Sequence, residues 1–221
     1  MNPRRTAGRP VRPPRFGTRG RPEESRAAIL KAAVGEFSEH GIAGARTDAI
    51  ARAAHVNKAL LYYYFKDKDA LYEAVLDHVF SGLRARVVPV LDSALPPREK
   101  MLEYLGTYFD YIAANPQFPR VVQAEWMRSG AHSSSMQRVA REYFRPIYGK
   151  LSQLLRDGVK AGEFRVVNPM DFVPSVVATI VFYFGTAPLM KTLLKVDPLS
   201  PQRIRERRAF VLKFISASLF R

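Results

Sequence analysis

The sequence predicts an all-α protein with a basic N-terminal tail and two helical domains. Apolar residues recur at intervals of three and four along much of the chain, which is the spacing of one helix face. Proline and glycine interrupt this pattern at distances typical of helix ends. No stretch of useful length alternates between apolar and polar residues, as a half-buried strand would. We place the tail at 1–21 and the domains at 22–83 and 84–221.

The composition allows a substantial core and indicates an anionic partner. Of the 221 residues, 47% are hydrophobic, and 35 lysines and arginines outnumber 20 acidic residues, which gives a net charge of +15. This balance is typical of proteins that bind nucleic acid or an anionic membrane surface. Because the sequence contains no cysteine, disulfides, thiolate metal sites and a cysteine nucleophile are excluded, and a reducing cytoplasm fits.

The tail is rich in arginine and proline and has no acidic residue. Such a segment buries too little apolar surface to become ordered. Two interpretations stay open: a solubilising leader, or an arm that contacts phosphates or a minor groove. The segment 22–70 carries seven basic and seven acidic side chains, so net charge does not identify a binding surface there.

The first helix is predicted to begin at Pro22, because proline is favoured in the first turn of a helix. Ile29, Ala33 and Phe37 follow at intervals of four and form one apolar face. Gly41 readily adopts a left-handed conformation, so we expect it to end this helix.

Two short helices around a tight turn are predicted next. Thr47 is expected to cap the first of them, which covers 48–54. His55 lies in the turn, and Asn57 is expected to cap the second helix, which ends near Tyr64. This arrangement is typical of a helix-turn-helix, in which the second helix lies in the major groove of DNA.

Further helices occupy the rest of the chain. Asp67 is expected to cap one that presents Leu71, Val75 and Leu76 to the core. Prolines and glycines separate the others. Their expected ranges are 98–115, 118–129, 134–162, 169–194 with a bend at Gly185 or Pro188, and 201–220.

The segment Thr47–Leu76, TDAIARAAHVNKALLYYYFKDKDALYEAVL, resembles the DNA-binding domain of the TetR family of bacterial transcription regulators. The resemblance covers about residues 23–83, and the YYYFKDK run at its distance from the turn is the specific part. It implies a cytoplasmic, nucleoid-associated homodimer that binds a palindromic DNA operator. It further implies a repressor that a small-molecule effector releases from the operator, with no cofactor.

The resemblance also implies roles for single residues. Asn57 to Leu60 would lie on the exposed first turn of the recognition helix, where base edges are read, while Leu61 and Phe65 would face the core. Three consecutive tyrosines point about 100° apart on a helix, so they cannot all be core. His55 stands where the family usually has glycine. The expected DNA contacts are Thr47, Asn57, Lys58, Ala59, Leu60, Tyr62, Tyr63, Tyr64 and Lys68.

The C-terminal half resembles the family in LLRDGVKAGEFRVVNP and FYFGTAPLM. This implies a ligand cavity between the middle helices and a dimer interface on the last two long helices. The candidate cavity residues, for each of which plain core is the alternative, are Tyr108, Tyr111, Ile112, Trp126, Met127, Phe144, Tyr148, Val177 and Tyr183. The candidate interface residues are Phe182, Phe210, Phe214 and Leu219.

Other functions have less support in the sequence. The four histidines show no paired metal spacing, and there is no P-loop or dinucleotide fingerprint, so we expect neither an enzyme nor a metal site. Phe172–Met190 lacks charge over the length of a membrane span, but its prolines, glycine and hydroxyl groups favour a buried helix or an interface. A basic helical module that binds a membrane surface is the alternative function.

Overall fold

The computed structural model describes residues 22–129 and 134–221, with the backbone alone for Trp126, Arg128 and Ser129. The tail at 1–21 lies outside the described residues. The described part is helical apart from short connections and one isolated β-bridge between Phe164 and Phe220. Its first four helices are α1 (Pro22–Gly44), α2 (Thr47–Ala53), α3 (Lys58–Tyr64) and α4 (Lys68–Leu91).

The prediction that a left-handed Gly41 interrupts the first helix is confirmed. Gly41 has φ of 62° and ψ of 178°, so the helix is broken there, and one further turn carries α1 to Gly44. His55 has φ of 54°, the left-handed turn that its position requires. Ile29 and Phe37 are buried as expected, and the Phe37 ring meets Tyr72 of α4 edge to face at 5.1 Å.

The expectation that Thr47 caps α2 is wrong. Arg46 occupies the cap position with extended backbone, and its amide nitrogen donates to Oε1 of Glu36 at 2.9 Å. Thr47 is therefore the first helical residue, and its hydroxyl lies 3.2 Å from that of Tyr62. The reason is tertiary: α1 brings an acceptor to the residue before Thr47, and local spacing does not reveal this.

The second half of the chain folds around α4 and α5. The boundary expected after residue 83 falls inside α4, which runs from the first domain into the second. Among the described residues, the remaining elements are α5 (Pro97–Ala114), α6 (Phe118–Ser129), α7 (Ser134–Val139), a π-helical segment (Ala140–Phe144), α8 (Arg145–Lys160), α9 (Pro169–Gly185), α10 (Ala187–Leu194) and α11 (Pro201–Leu219).

The predicted bend near Gly185 is confirmed, because α9 and α10 meet at 59°. In the described ranges no single helix is long and apolar enough to cross a membrane, although α9 and α10 together pass the criterion of length and composition. The expected helix 134–162 is interrupted by the π-helical segment, where Tyr143 and Phe144 pack against Phe80 of α4.

The C-terminal end of the chain is locked into the second domain. The Phe164 and Phe220 rings stack at 5.4 Å, and the amide of Arg165 donates to the carbonyl of Leu219 at 2.8 Å. The Leu219 side chain is fully buried within its own chain. The expectation that Leu219 contributes to a dimer interface is therefore wrong, because the same chain already covers it.

Candidate nucleic-acid interface and ligand cavity

The helix α3 is held by one cap and one buried face. The side chain of Asn57 accepts a hydrogen bond from the Leu60 amide at 2.7 Å, as its predicted cap role requires. Leu61 is fully buried, and Phe65 is nearly so, which fixes how the helix is rotated. Tyr63 points away from this core with 64% of its surface exposed.

The three tyrosines of α3 have different surroundings, as the helical spacing predicts. Tyr62 and Tyr63 are exposed, whereas Tyr64 is partly buried and packs against the core. The rings of Tyr63 and Tyr64 meet edge to face at 5.3 Å. Because the Tyr62 hydroxyl lies within hydrogen-bond distance of Thr47, the side chains of α2 and α3 form one continuous polar surface here.

Lys58, at the start of α3, forms an ion pair that the sequence analysis missed. Its Nζ lies 2.8 Å from Oδ1 of Asp48 on α2, and both side chains are about half exposed, at 52% and 54%. This hydrogen bond raises the pKa of Lys58 and lowers that of Asp48, and the charge of each partner adds to the effect. Lys58 is thus charged and displayed, but it is shared with an acidic neighbour.

Leu60 does not occupy the exposed position expected of it. Only 8% of its surface is accessible, while its neighbours Lys58 and Ala59 are exposed. The rotation of α3 that buries Leu61 also turns Leu60 inward. The expected contact of Leu60 with a base edge or thymine methyl is therefore wrong.

Lys68 lies at the first position of α4, directly after the cap residue Asp67, whose carboxylate accepts from the Ala70 amide at 2.7 Å. The Lys68 Nζ donates to the carbonyl of Ala43 at 3.2 Å, which ties α4 to the end of α1. An ammonium group has three donors, so two remain for an anion.

A cavity of about 570 Å³ lies between α6, α7, the π-helical segment and α9. This volume is within the usual range for small-molecule sites. Two expected residues, Phe144 and Val177, lie in its wall, and their binding of a ligand stays a prediction. The described wall residues are Pro119, Val122, Gln123, Met136, Phe144, Val173, Pro174, Val177, Ala178, Val181, Phe182, Gly185 and Thr186.

The other expected cavity residues lie elsewhere. Tyr108 and Ile112 are buried in the core, as their alternative interpretation holds. The hydroxyls of Tyr111 and Tyr183 donate to the carbonyls of Val79 at 2.9 Å and Pro198 at 2.6 Å, respectively. Three further candidates remain: Tyr148 is partly buried outside the described wall, Met127 is 80% exposed, and the side chain of Trp126 is outside the described part.

The sequence contains a pattern that predicts the cavity wall, but the search for aromatic residues overlooked it. Val173, Val177 and Val181 recur at intervals of four on α9, and all three face the cavity. Because a helix with apolar residues on more than one face serves more than one neighbour, this stripe could have been separated from the buried face that carries Val176 and Ile180.

Three of the four interface candidates are exposed on the last long helices. Phe182 of α9 is 70% exposed, and Phe210 and Phe214 of α11 are about half exposed, with their rings stacked at 5.9 Å. Large aromatic side chains in water are typical of a surface that another protein covers. No group of three or more potential metal ligands occurs in the described ranges.

Comparisons with known proteins agree with this arrangement. The family model described as "Bacterial regulatory proteins, tetR family" matches residues 29–75, and "Tetracyclin repressor-like, C-terminal domain" matches residues 97–215. The first match contains the helix-turn-helix, and the second contains all of the described cavity wall and the exposed aromatic residues Phe182, Phe210 and Phe214.

Two named repressors and one solved structure are similar to the chain. The transcriptional repressor SCO4008 of Streptomyces coelicolor is 31% identical over 173 residues, which are 78% of this chain and 84% of that one. The repressor NicS of Pseudomonas putida is 28% identical over 141 residues, which are 64% of this chain and 64% of NicS. The match therefore covers less than two thirds of the length of NicS. The structure of the putative transcriptional regulator SCO4942 of Streptomyces coelicolor aligns with a TM-score of 0.66 and 27% identity, covering 88% of this chain and 98% of that one.

The order of the helices, the exposed face of α3 and these matches all agree. The chain belongs to the tetR family of bacterial regulatory proteins and is a DNA-binding transcription regulator.

Proposed function

We propose that this regulator is a homodimeric repressor that binds a palindromic operator through α3 and leaves it when a small molecule fills the cavity. One observation carries the DNA-binding part of the proposal. The helix α3 is anchored by Leu61, Phe65 and the Asn57 cap, and the opposite face displays Lys58, Ala59, Tyr62 and Tyr63. A rigid helix with a free polar face fits the major groove of B-DNA.

The polar groups around α3 have complementary tasks. The Lys58 ammonium can donate to guanine O6 and N7. The exposed rings of Tyr62 and Tyr63 can contact thymine methyl groups, and their hydroxyls can donate to phosphates. We assign Thr47 and Lys68 to the DNA backbone, because they are the first residues of α2 and α4 and helix N-termini attract phosphates. Tyr64, at the other end of α3, is assigned to a phosphate from the family resemblance.

Repression and release are supported by the relatives and by the cavity. Both SCO4008 and NicS are named transcriptional repressors. The relatives are regulators, so we assign the chain no enzymatic activity, and a regulator of this kind acts in the cytoplasm on the nucleoid. A ligand shifts DNA binding only as far as it prefers one dimer geometry over the other.

The dimer is the part of the proposal that a substitution tests directly. Phe210→Glu places a charge in the aromatic surface of Phe182, Phe210 and Phe214, and we expect it to convert the dimer to a monomer. Operator affinity should fall with it, because two recognition helices must enter successive major grooves about 34 Å apart. Sedimentation measures the first effect, and gel shift measures the second.

The matched control is Val166→Glu, which introduces the same charge at a side chain that is 79% exposed between α8 and α9. It should remain a dimer with unchanged affinity. A Phe210→Glu protein that sediments as a dimer and binds the operator normally would show that the aromatic surface is not the dimer interface.

A further inference from the structure

We propose that the effector of this regulator is an uncharged, largely apolar molecule with one hydrogen-bonding group, which the side-chain amide of Gln123 recognises. The inference rests on the proposed function, because it takes the cavity between α6 and α9 as the effector site. It follows from the apolar wall, from the orientation of Gln123 and from the hydrogen bonds that Thr186 and Glu125 already make within the protein.

The wall of the cavity is apolar on several sides. Val173, Val177 and Val181 line it from α9, Val122 lines it from α6, and the Phe144 ring comes from the π-helical segment. Each presents methyl groups or aromatic carbon to the space. A ligand that fills it gains from apolar burial, at about 25 cal/mol for each Å² removed from water.

Two of the described wall residues have polar side chains, and only one of these is available as a donor. The Thr186 hydroxyl already donates to the Phe182 carbonyl of the preceding turn at 2.8 Å. The Gln123 amide has no hydrogen-bond partner among the described residues. Its Oε1 lies 4.0 Å from the point where a Cβ would stand at Gly185, so the amide reaches across the cavity toward α9.

The described wall contains no charged side chain. A charged group held against this wall would therefore give up part of its hydration without gaining a counter-charge from these residues, which is unfavourable. The nearby acid Glu125 does not change this, since it is fully buried and accepts a hydrogen bond from the Tyr72 hydroxyl of α4 at 2.7 Å. A neutral hydroxyl or carbonyl, in contrast, can pair with the Gln123 amide.

The test uses pyrene derivatives that differ in one substituent and are followed by their own fluorescence. We expect full-length dimer to bind pyrenemethanol more than about tenfold tighter than pyrenecarboxylate or pyrenemethylammonium, because the charged forms lose hydration. Val173→Phe, which fills the cavity from the start of α9 and away from Phe182, should abolish this binding while circular dichroism and sedimentation stay unchanged. This variant separates cavity binding from adsorption to the basic surface.

Gln123→Leu tests the hydrogen bond itself. It should weaken pyrenemethanol about threefold to tenfold, the value of one net hydrogen bond, and leave methylpyrene, which lacks the hydroxyl, unaffected or slightly tighter. A general disturbance of the cavity would weaken both compounds equally. The control is Gln117→Leu, which makes the same change at an exposed glutamine outside this cavity wall.

Charged pyrenes that bind as tightly as the alcohol, at the site that Val173→Phe blocks, would overturn the inference. So would equal effects of Gln123→Leu on pyrenemethanol and methylpyrene, or a dimer that binds none of the probes because a second copy fills the cavity. Release of a labelled operator is measured separately. Selective binding of the alcohol without release would leave the ligand chemistry intact and refute the proposed effector role of the cavity.

Discussion

Some residues of α3 stabilise the fold, and we expect their exposed neighbours to bind DNA. We predict that Tyr63→Ala or Lys58→Ala weakens operator binding by about 1–3 kcal/mol and leaves the free energy of unfolding nearly unchanged, because both side chains are exposed. Leu61→Ala should instead lower the free energy of unfolding by about 2–5 kcal/mol, because Leu61 is fully buried. Gel shift and chemical denaturation separate the two effects.

The control for the charge of Lys58 is Lys160→Ala, at the exposed end of α8. It removes the same charge outside the helix-turn-helix and should leave operator affinity almost unchanged. Full operator affinity in both the Lys58 and the Tyr63 variants would refute the assignment of α3.

Asp48 is an acidic residue on a surface that we expect to face phosphates. Asp48→Asn removes its repulsion of DNA and frees the Lys58 ammonium, which lies 2.8 Å away. We predict tighter binding to unrelated DNA and a slope of log affinity against log salt that is steeper by about one, since one more cation meets a phosphate. Binding titrations at several salt concentrations measure both quantities.

Asp69→Asn, in the first turn of α4, is the matched control, because it removes the same charge and belongs to no described ion pair with Lys58. It should give a smaller change than Asp48→Asn. Equal effects of the two variants would show that the loss of any nearby negative charge suffices and that the ion pair has no separate role.

The roles of Asn57, Asp67 and His55 could be predicted from their neighbours in the sequence. Asn57 and Asp67 are cap residues within three positions of the amides they accept from, and the left-handed turn at His55 follows from the motif. The predicted exposure of Leu60 and the predicted cap role of Thr47 were wrong, because other helices determine the surroundings of both residues. The burial of Leu60 depends on the rotation of α3, and the cap at Arg46 depends on α1.

At the scale of elements, one arginine joins the cavity wall to the helix that begins at the DNA-binding surface. Arg138 of α7 forms ion pairs with Glu73 and Asp77, one turn apart on α4. The Tyr143 hydroxyl also donates to Asp77, at 2.9 Å. The wall residues Met136 and Phe144 belong to this same stretch of chain, so we expect a ligand that displaces the wall to displace α4 as well.

We predict that Arg138→Leu lowers the free energy of unfolding by about 1–2 kcal/mol, between the values for exposed and buried pairs, because it leaves two partly buried carboxylates without their cation. It should also reduce the loss of operator affinity that an effector causes. Denaturation measures the first effect, and gel shift with and without an effector measures the second.

Arg141→Leu is the matched control, since Arg141 is 68% exposed and contacts only Glu142 among the described ion-pair partners. It should change neither quantity by more than about 0.5 kcal/mol. An Arg138→Leu protein that responds to the effector as strongly as the wild type does would show that the wall and α4 are coupled by other contacts.

Most helices could be predicted from the sequence, but the π-helical segment could not. Gly185 marks the break between α9 and α10, because it is the last residue of a long apolar helix and lies three residues before Pro188. The π-helical segment has no comparable signal. It occurs where Tyr143 and Phe144 both pack against Phe80 of α4, and such a requirement exists only in the folded protein.

For the protein as a whole, we expect DNA binding to depend on geometry more than on net charge. The segment 22–70 contains equal numbers of basic and acidic side chains, so the whole net charge of +15 lies outside it. We therefore expect specificity to come chiefly from how the proposed dimer presents its two α3 helices. The aromatic side chains of α9 and α11 were predictable as a surface, whereas the cavity required the packing of four elements.

Selection of bound fragments from the organism's own genome shows whether this protein reads one DNA sequence. We predict that the dimer enriches an inverted repeat whose half-sites lie a whole number of helical turns apart. It should bind this repeat at least about a thousandfold tighter than unrelated DNA, and Tyr63→Ala should reduce that ratio. Recovered fragments without a common motif, bound no tighter than random DNA, would show that α3 does not recognise a specific operator.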